Sequence, residues 1–209
     1  MKTLLFTESA ALCVATTVIA AAAAALFSKH AIPIVAFYVF LMASLMYFYR
    51  YPTLAFHPNP KALMAPSDGV VKKIVYDKEN ERIKVIVFLN IFNQHLQFYP
   101  VNGIIANTTY HKGSFHPAYF LEKSAYNERM VTSIKTDKDT IIVTQIAGQI
   151  ARRIVNHAKL NAAVRQGDYM GMIKLSSRVD IEFSSKIYAC KVAIGDKLTA
   201  LEKIIAVEK

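Results

Sequence analysis

Two runs without a single Asp, Glu, Lys or Arg, residues 9–27 and 31–49, constrain this chain more than any other feature. Each is 19 residues long. A helix rises about 1.5 Å per residue, so roughly 20 apolar residues cross a hydrocarbon layer ~30 Å thick. Both runs approach that length, and only Ser28, Lys29 and His30 separate them. So short a connection suits a tight transmembrane helical hairpin that returns the chain to its starting side. Pro33 falls in the first turn of the second run, where its missing N–H costs little. The competing reading of the first run is a cleaved signal peptide, because Lys2 precedes it and Ala20 to Ala25 offer small residues to a peptidase. Under either reading, Arg50, Lys61, Lys72 and Lys73 outnumber Lys29, which places everything after residue 50 on the cytoplasmic face of an inner or plasma membrane.

The remaining chain is basic, with 23 Lys and Arg against 14 Asp and Glu in residues 50–209. A basic domain tethered at a bilayer meets anionic lipid first, and each cationic side chain near such a surface contributes about 1 kcal/mol. Nucleic acid is not expected as a partner, since no helix-turn-helix, zinc spacing or aromatic RNA-binding motif is present. A hydrophobic content of 54% excludes a disordered tail, and two cysteines, Cys13 and Cys190, exclude a disulfide framework. The six histidines show no ligand spacing, so no metal is expected.

Residues 51–66 are rich in proline and polar groups and read as a linker between an anchor, residues 1–50, and a domain, residues 67–209. Within the domain, Gly69–Tyr76, Ile83–Leu89, Met130–Thr136, Thr140–Ile146, Met170–Lys174, Val179–Phe183 and Ile187–Val192 are short, β-branched or aromatic, and bounded by turn residues. These read as strands. Apolar spacing suggests helices over Ala147–Ala158 and Lys197–Ile205, the second ambiguous because Ile194-Gly195-Asp196-Lys197 looks like a turn entering a strand. The expected fold is mainly β, a sandwich or barrel-like body with few helices.

Three segments carry chemistry. Ala65-Pro66-Ser67-Asp68-Gly69-Val70 places an Asp in a tight turn before a strand. His95 follows the apolar strand ending at Leu89, and Ser176-Ser177 lie between two expected strands. Asp, His and Ser at strand ends can act as orienter, base and nucleophile, but spacing alone leaves this weak.

Together, Ala65 to Val70, His95 to Gly103, Lys112-Gly113-Ser114-Phe115, Asn127-Glu128-Arg129, Gln145 to Ile154 and Lys174 to Asp180 resemble the phosphatidylserine decarboxylase family in its short membrane-anchored form. The resemblance covers most of residues 51–209. It implies a proenzyme that cuts itself between Ser176 and Ser177, with Ser177 as attacking hydroxyl, His95 as general base and Asp68 stabilising the protonated imidazole. Ser177 would become a pyruvoyl group, the only cofactor, whose carbonyl takes up the substrate amine and receives the electrons left by departing CO₂. The implied partners are an anionic aminophospholipid, the membrane, the cleaved C-terminal fragment and a second copy of the chain.

Two departures from the family pattern stand out. Ser176 occupies the position usually held by Gly, which tolerates backbone angles a side chain resists. Phe98 stands where some members have a second His, leaving His95 to serve alone or with His111 or His116. Arg178, Arg152, Arg153 and His111 are candidate contacts for the lipid phosphate or carboxylate, although Arg178 could equally pair with Asp180 and Arg152 and Arg153 could form a solvated face. A different class stays open: an uncut, membrane-anchored biotinyl- or lipoyl-like β-sandwich, suggested by the Pro66-x-Asp68-Gly69 and Ile194-Gly195-Asp196-Lys197 turns. A hydrolase using the same three residues lacks a Gly-x-Ser-x-Gly elbow.

Overall fold

The computed structural model describes residues 4–27, 29, 31–48, 50, 56–149, 153–173 and 177–209. The chain divides into two compact units, Met1–Pro52 and Thr53–Lys209.

In the first unit both charge-free runs are helical, as α1 (Leu4–Leu26) and α2 (Ala31–Phe48). They pack against one another, with Thr17 Oγ1 2.7 Å from the Tyr38 hydroxyl. Helix α2 is long and apolar enough to cross a membrane, by length and composition. Phe37, Val39 and Phe40 point outward, an arrangement unfavourable in water and favourable in hydrocarbon.

The second unit is built from strands β1 (Ala62–Met64), β2 (Gly69–Asp77), β3 (Arg82–Leu89), β4 (Leu96–Phe98), β5 (Gly103–His111), β6 (Arg129–Lys135), β7 (Thr140–Ala147), β8 (Ile154–Asn156), β9 (Ala163–Val164), β10 (Tyr169–Ile173), β11 (Ser177–Ser184), β12 (Tyr188–Cys190), β13 (Lys197–Leu198) and β14 (Ile204–Glu208). One short helix, α3 (Leu121–Ser124), lies between β5 and β6. An eight-stranded antiparallel sheet runs β13-β2-β3-β11-β7-β6-β5-β9, and two three-stranded sheets run β4-β10-β8 and β1-β14-β12. The body is therefore mainly β, as the sequence leads one to expect.

Alternation explains where the core sits. Val85, Val87 and Leu89 of β3 face the same side as Val179, Ile181 and Phe183 of β11, and all six are buried. Met170 and Ile173 of one small sheet and Ile205 of the other join this cluster. Fully burying each such side chain contributes roughly 1.5–3 kcal/mol.

Neither expected helix of the body is present among the described residues. Residues 154–156 form β8 instead, because their backbone pairs with β10. Residues 197–205 split into β13, paired with β2, and β14, paired with β1. Between them Leu201 has φ of 63°, outside the right-handed helical region. Strand β5 escaped sequence reading because Ile105 is its one fully buried apolar residue, and Asn107, Thr108 and Thr109 break the alternation. The stretch read as a linker also contributes β1, whose Leu63 is buried in the core.

A buried row of amides ties one small sheet to the large one. Asn156 of β8 donates to Gln145 Oε1 of β7 at 2.8 Å, Gln145 donates to Gln97 Oε1 of β4 at 2.8 Å, and Gln97 donates to the His95 carbonyl at 2.7 Å. Gln97 and Gln145 are fully buried. Replacing Gln145 by Leu strips the Gln97 amide oxygen of its donor. An unsatisfied buried polar group costs about 1–3 kcal/mol, so Gln145→Leu is expected to lower unfolding free energy by that amount in urea titration. An unchanged midpoint would show that the row holds nothing together.

Candidate active site

Three residues, 174–176, connect the small sheet to the large one. On one side, β10 ends at Ile173, whose N–H donates to the His95 carbonyl at 3.2 Å. On the other, β11 begins at Ser177, registered between Leu89 of β3 and Ala147 of β7. Four backbone steps span at most ~14 Å, so His95 and Ser177 are held in one neighbourhood by connectivity. Ser176 itself lies outside the described residues, as does Arg152.

Ser177 is fully buried, and among the described residues its hydroxyl has no hydrogen-bond partner. Such a group costs free energy and calls for an explanation. Its neighbours on the sheet, Leu89 and Ala147, offer it no side-chain acceptor.

His95 is also fully buried. Its Nδ1 lies 2.8 Å from the Asn93 carbonyl. A carbonyl only accepts, so the neutral ring carries its proton on Nδ1 and its lone pair on Nε2. Nε2 is thus the basic atom.

Asp68 does not hold Nδ1. Its Oδ2 accepts from the Gln94 N–H at 3.2 Å and its Oδ1 from the Ala200 N–H at 3.0 Å. The carboxylate therefore pins the backbone just before His95 to the turn after β13. Its own placement depends on Gly69, with φ of 145°, where a Cβ would lie 2.6 Å from the Phe88 carbonyl oxygen. Beside it, Ser67 is buried and its hydroxyl too lacks a partner.

Arg178, a candidate substrate contact from sequence, is instead buried and committed to the fold. Its Nε and Nη2 each lie 2.7 Å from an Asp180 oxygen, and Nη1 donates to the Leu121 carbonyl and to Ser124 Oγ. Burial pushes the Asp180 carboxyl above the ordinary carboxylate range, and the Arg178 guanidinium opposes that rise. Arg153 is exposed. His111 ends β5 half-buried, opposite Arg129. Neither is brought to Ser177 by any hydrogen bond among the described residues.

Asn127 has a structural role that sequence reasoning missed. Fully buried, it donates to the His116 carbonyl at 2.7 Å and to the Ala147 carbonyl at 2.8 Å, and accepts from the His116 N–H. Ser114 and Asn127 also form a bridge. The Lys112–Phe115 and Asn127–Arg129 motifs are therefore two halves of one loop fastened to the strand position beside Ser177. Their pairing was invisible in sequence because eleven residues intervene. Among the described residues no group of three or more His, Cys, Asp or Glu gathers into a metal-binding cluster.

Comparison with known proteins agrees in substance with the sequence resemblance. The family model described as phosphatidylserine decarboxylase matches residues 41–206. A protein of Phocaeicola vulgatus named phosphatidylserine decarboxylase proenzyme is 34% identical over 183 residues, covering 81% of this chain and 80% of that one. A protein of the same name from Desulfotalea psychrophila is 34% identical over 80% of this chain and 82% of its own length. A putative archaetidylserine decarboxylase proenzyme of Methanococcoides burtonii is 35% identical, covering 82% of this chain and 78% of its own length. With the matched region reaching from within α2 into β14, the chain belongs to the phosphatidylserine decarboxylase family.

Proposed function

We propose that this chain is a self-cutting proenzyme that decarboxylates phosphatidylserine to phosphatidylethanolamine at the cytoplasmic face of a membrane. One observation carries the reading: a buried hydroxyl without a partner, at Ser177, begins the strand that follows the segment tethered to His95. Family membership supplies the reaction class.

Cutting follows from ordinary acyl chemistry. His95 Nε2 takes the proton of Ser177 Oγ, which attacks the Ser176 carbonyl, and the imidazolium returns the proton to the departing amide nitrogen. The ester so formed then eliminates: Ser177 loses its α-proton, its Oγ leaves in the carboxylate that ends the first fragment at Ser176, and the dehydroalanine left at position 177 takes up water and releases ammonia. Asp68 acts by holding the Gln94 backbone, and so the approach of His95, rather than by bonding the ring. The unpartnered Ser177 position fits a residue that is converted to a pyruvoyl group, since the buried oxygen gives up no hydrogen bond when it leaves. That group supplies a carbonyl for the substrate amine and a sink for the electrons released with CO₂. His95, the base of the cut, then serves as the acid that returns a proton to the product.

The cut leaves the body whole. Strand β11 stays between β3 and β7, and β14 stays beside β1, so the C-terminal fragment is retained by sheet pairing without a covalent link.

Ser177→Ala is expected to abolish cutting and activity, while Ser176→Ala is still cut because its side chain breaks no bond. Ser176→Gly should mature at least as fast as the native chain. Fragment masses decide the register: an uncut Ser176→Ala beside a cut Ser177→Ala would overturn it. His95→Ala is expected to remain one chain. Asp68→Asn should slow cutting less completely, since an amide oxygen can accept from only part of the backbone that the carboxylate now holds. A gel time course of refolded proenzyme reads both, and normal maturation of His95→Ala would remove the base from the scheme.

A further inference from the structure

The strand ends around Ser177 carry an exposed aromatic rim that the chemistry above does not use. Leu89, one partner of Ser177, is followed within three residues by Ile91 and Phe92, and Phe92 is 67% exposed. Ala147, the other partner, is bonded to Asn127, and the adjoining Tyr126 is 74% exposed. Tyr119 packs edge-on to Phe88 at 6.4 Å and against Phe120 at 4.3 Å between centroids, and both Tyr119 and Phe120 are at least half exposed.

Leaving several large rings in water near one end of a sheet is unfavourable, and exposed apolar groups gathered in this way mark contact surfaces. Their company identifies the contact. Lys72 Nζ lies over the Phe88 ring at 5.7 Å and Lys123 Nζ over the Phe120 ring at 6.0 Å. Aromatic rings with cationic side chains among them match the headgroup layer of an anionic bilayer, where rings sit at the apolar boundary and lysines meet lipid phosphates. In these segments Lys72, Lys112, Lys123 and Arg129 outnumber the acidic Glu122 and Glu128.

We infer that this rim docks onto the surface of a bilayer bearing anionic lipid, presenting the Ser177 end of the sheet to lipid headgroups. The inference rests on the proposed lipid substrate for its purpose but not for its test. The chain has no tryptophan, so a single Trp reports on one place. Full-length Phe120→Trp and Tyr126→Trp, reconstituted in vesicles of zwitterionic lipid with and without an anionic glycerophospholipid, are compared with Tyr76→Trp. Tyr76 is exposed and pairs with Ile83, toward the far end of β3 from Leu89.

The two rim tryptophans are expected to emit at shorter wavelength than the control and to be quenched severalfold more by lipids brominated in the acyl chains, more strongly with anionic lipid present. Quenching equal to that of Tyr76→Trp overturns the inference. So does a blue shift without quenching that grows with protein density, which would mean that a second copy covers the rim. Quenching needs no turnover: a quenched but inert chain keeps the docking and sinks the activity, and an active, unquenched chain does the reverse. In kinetics, Phe120→Asp should lower turnover of phosphatidylserine in vesicles by about tenfold while leaving self-cutting and turnover of monomeric short-chain phosphatidylserine unchanged. Equal loss on both substrates would also contradict docking.

Discussion

The constraint on which the rest of the site depends is a crossing of three residues between two sheets. Strand β10 is fixed to the His95 backbone by the Ile173 N–H, and β11 is fixed at Ser177 by two neighbouring strands. Four backbone steps keep Ser177 within ~14 Å of Ile173. The amide row from Asn156 through Gln145 and Gln97 to the His95 carbonyl fastens the two sheets at that crossing. A buried polar row is costly unless every member is satisfied, and here each amide passes its hydrogen bond to the next.

Around this crossing, charged and amide side chains hold the fold together. Arg178 follows Ser177 directly, yet Asp180, Leu121 and Ser124 occupy its guanidinium, which anchors the α3 loop over β11. Asp68 serves two backbone N–H groups from distant parts of the chain. Asn127 does similar work between the 112–116 segment and β7. The only buried hydroxyls left without partners among the described residues are those of Ser67 and Ser177. Of these two, Ser177 is the one that opens a strand of the large sheet, between Leu89 and Ala147.

Much of this was legible in the sequence. The seven strands rich in β-branched residues were readable because their alternation is strong, and the charge-free runs announced α1 and α2 by length. Ser177, His95 and Asp68 were selected by resemblance, and composition alone would not have singled them out. What stayed hidden was pairing between distant segments. The direction of the Asp68 hydrogen bonds depends on Ala200, 132 positions away, and the Arg178–Asp180 pair is decided by what covers it. Strand β5 and the short β8, β13 and β14 owe their conformation to partners rather than to their own patterns. The apolar spacing of 147–158 mimicked a helix, whereas Ala147 ends β7 in one sheet and Ile154–Asn156 form β8 in another.

The central claim is that Ser177 ends its life as a serine. Intact mass of the native chain under denaturing conditions tests it most directly. The account predicts two pieces, 1–176 and 177–209, the second lighter by one ammonia than a peptide beginning with serine. A single uncut chain, or a second piece that begins with an unmodified serine, would contradict it.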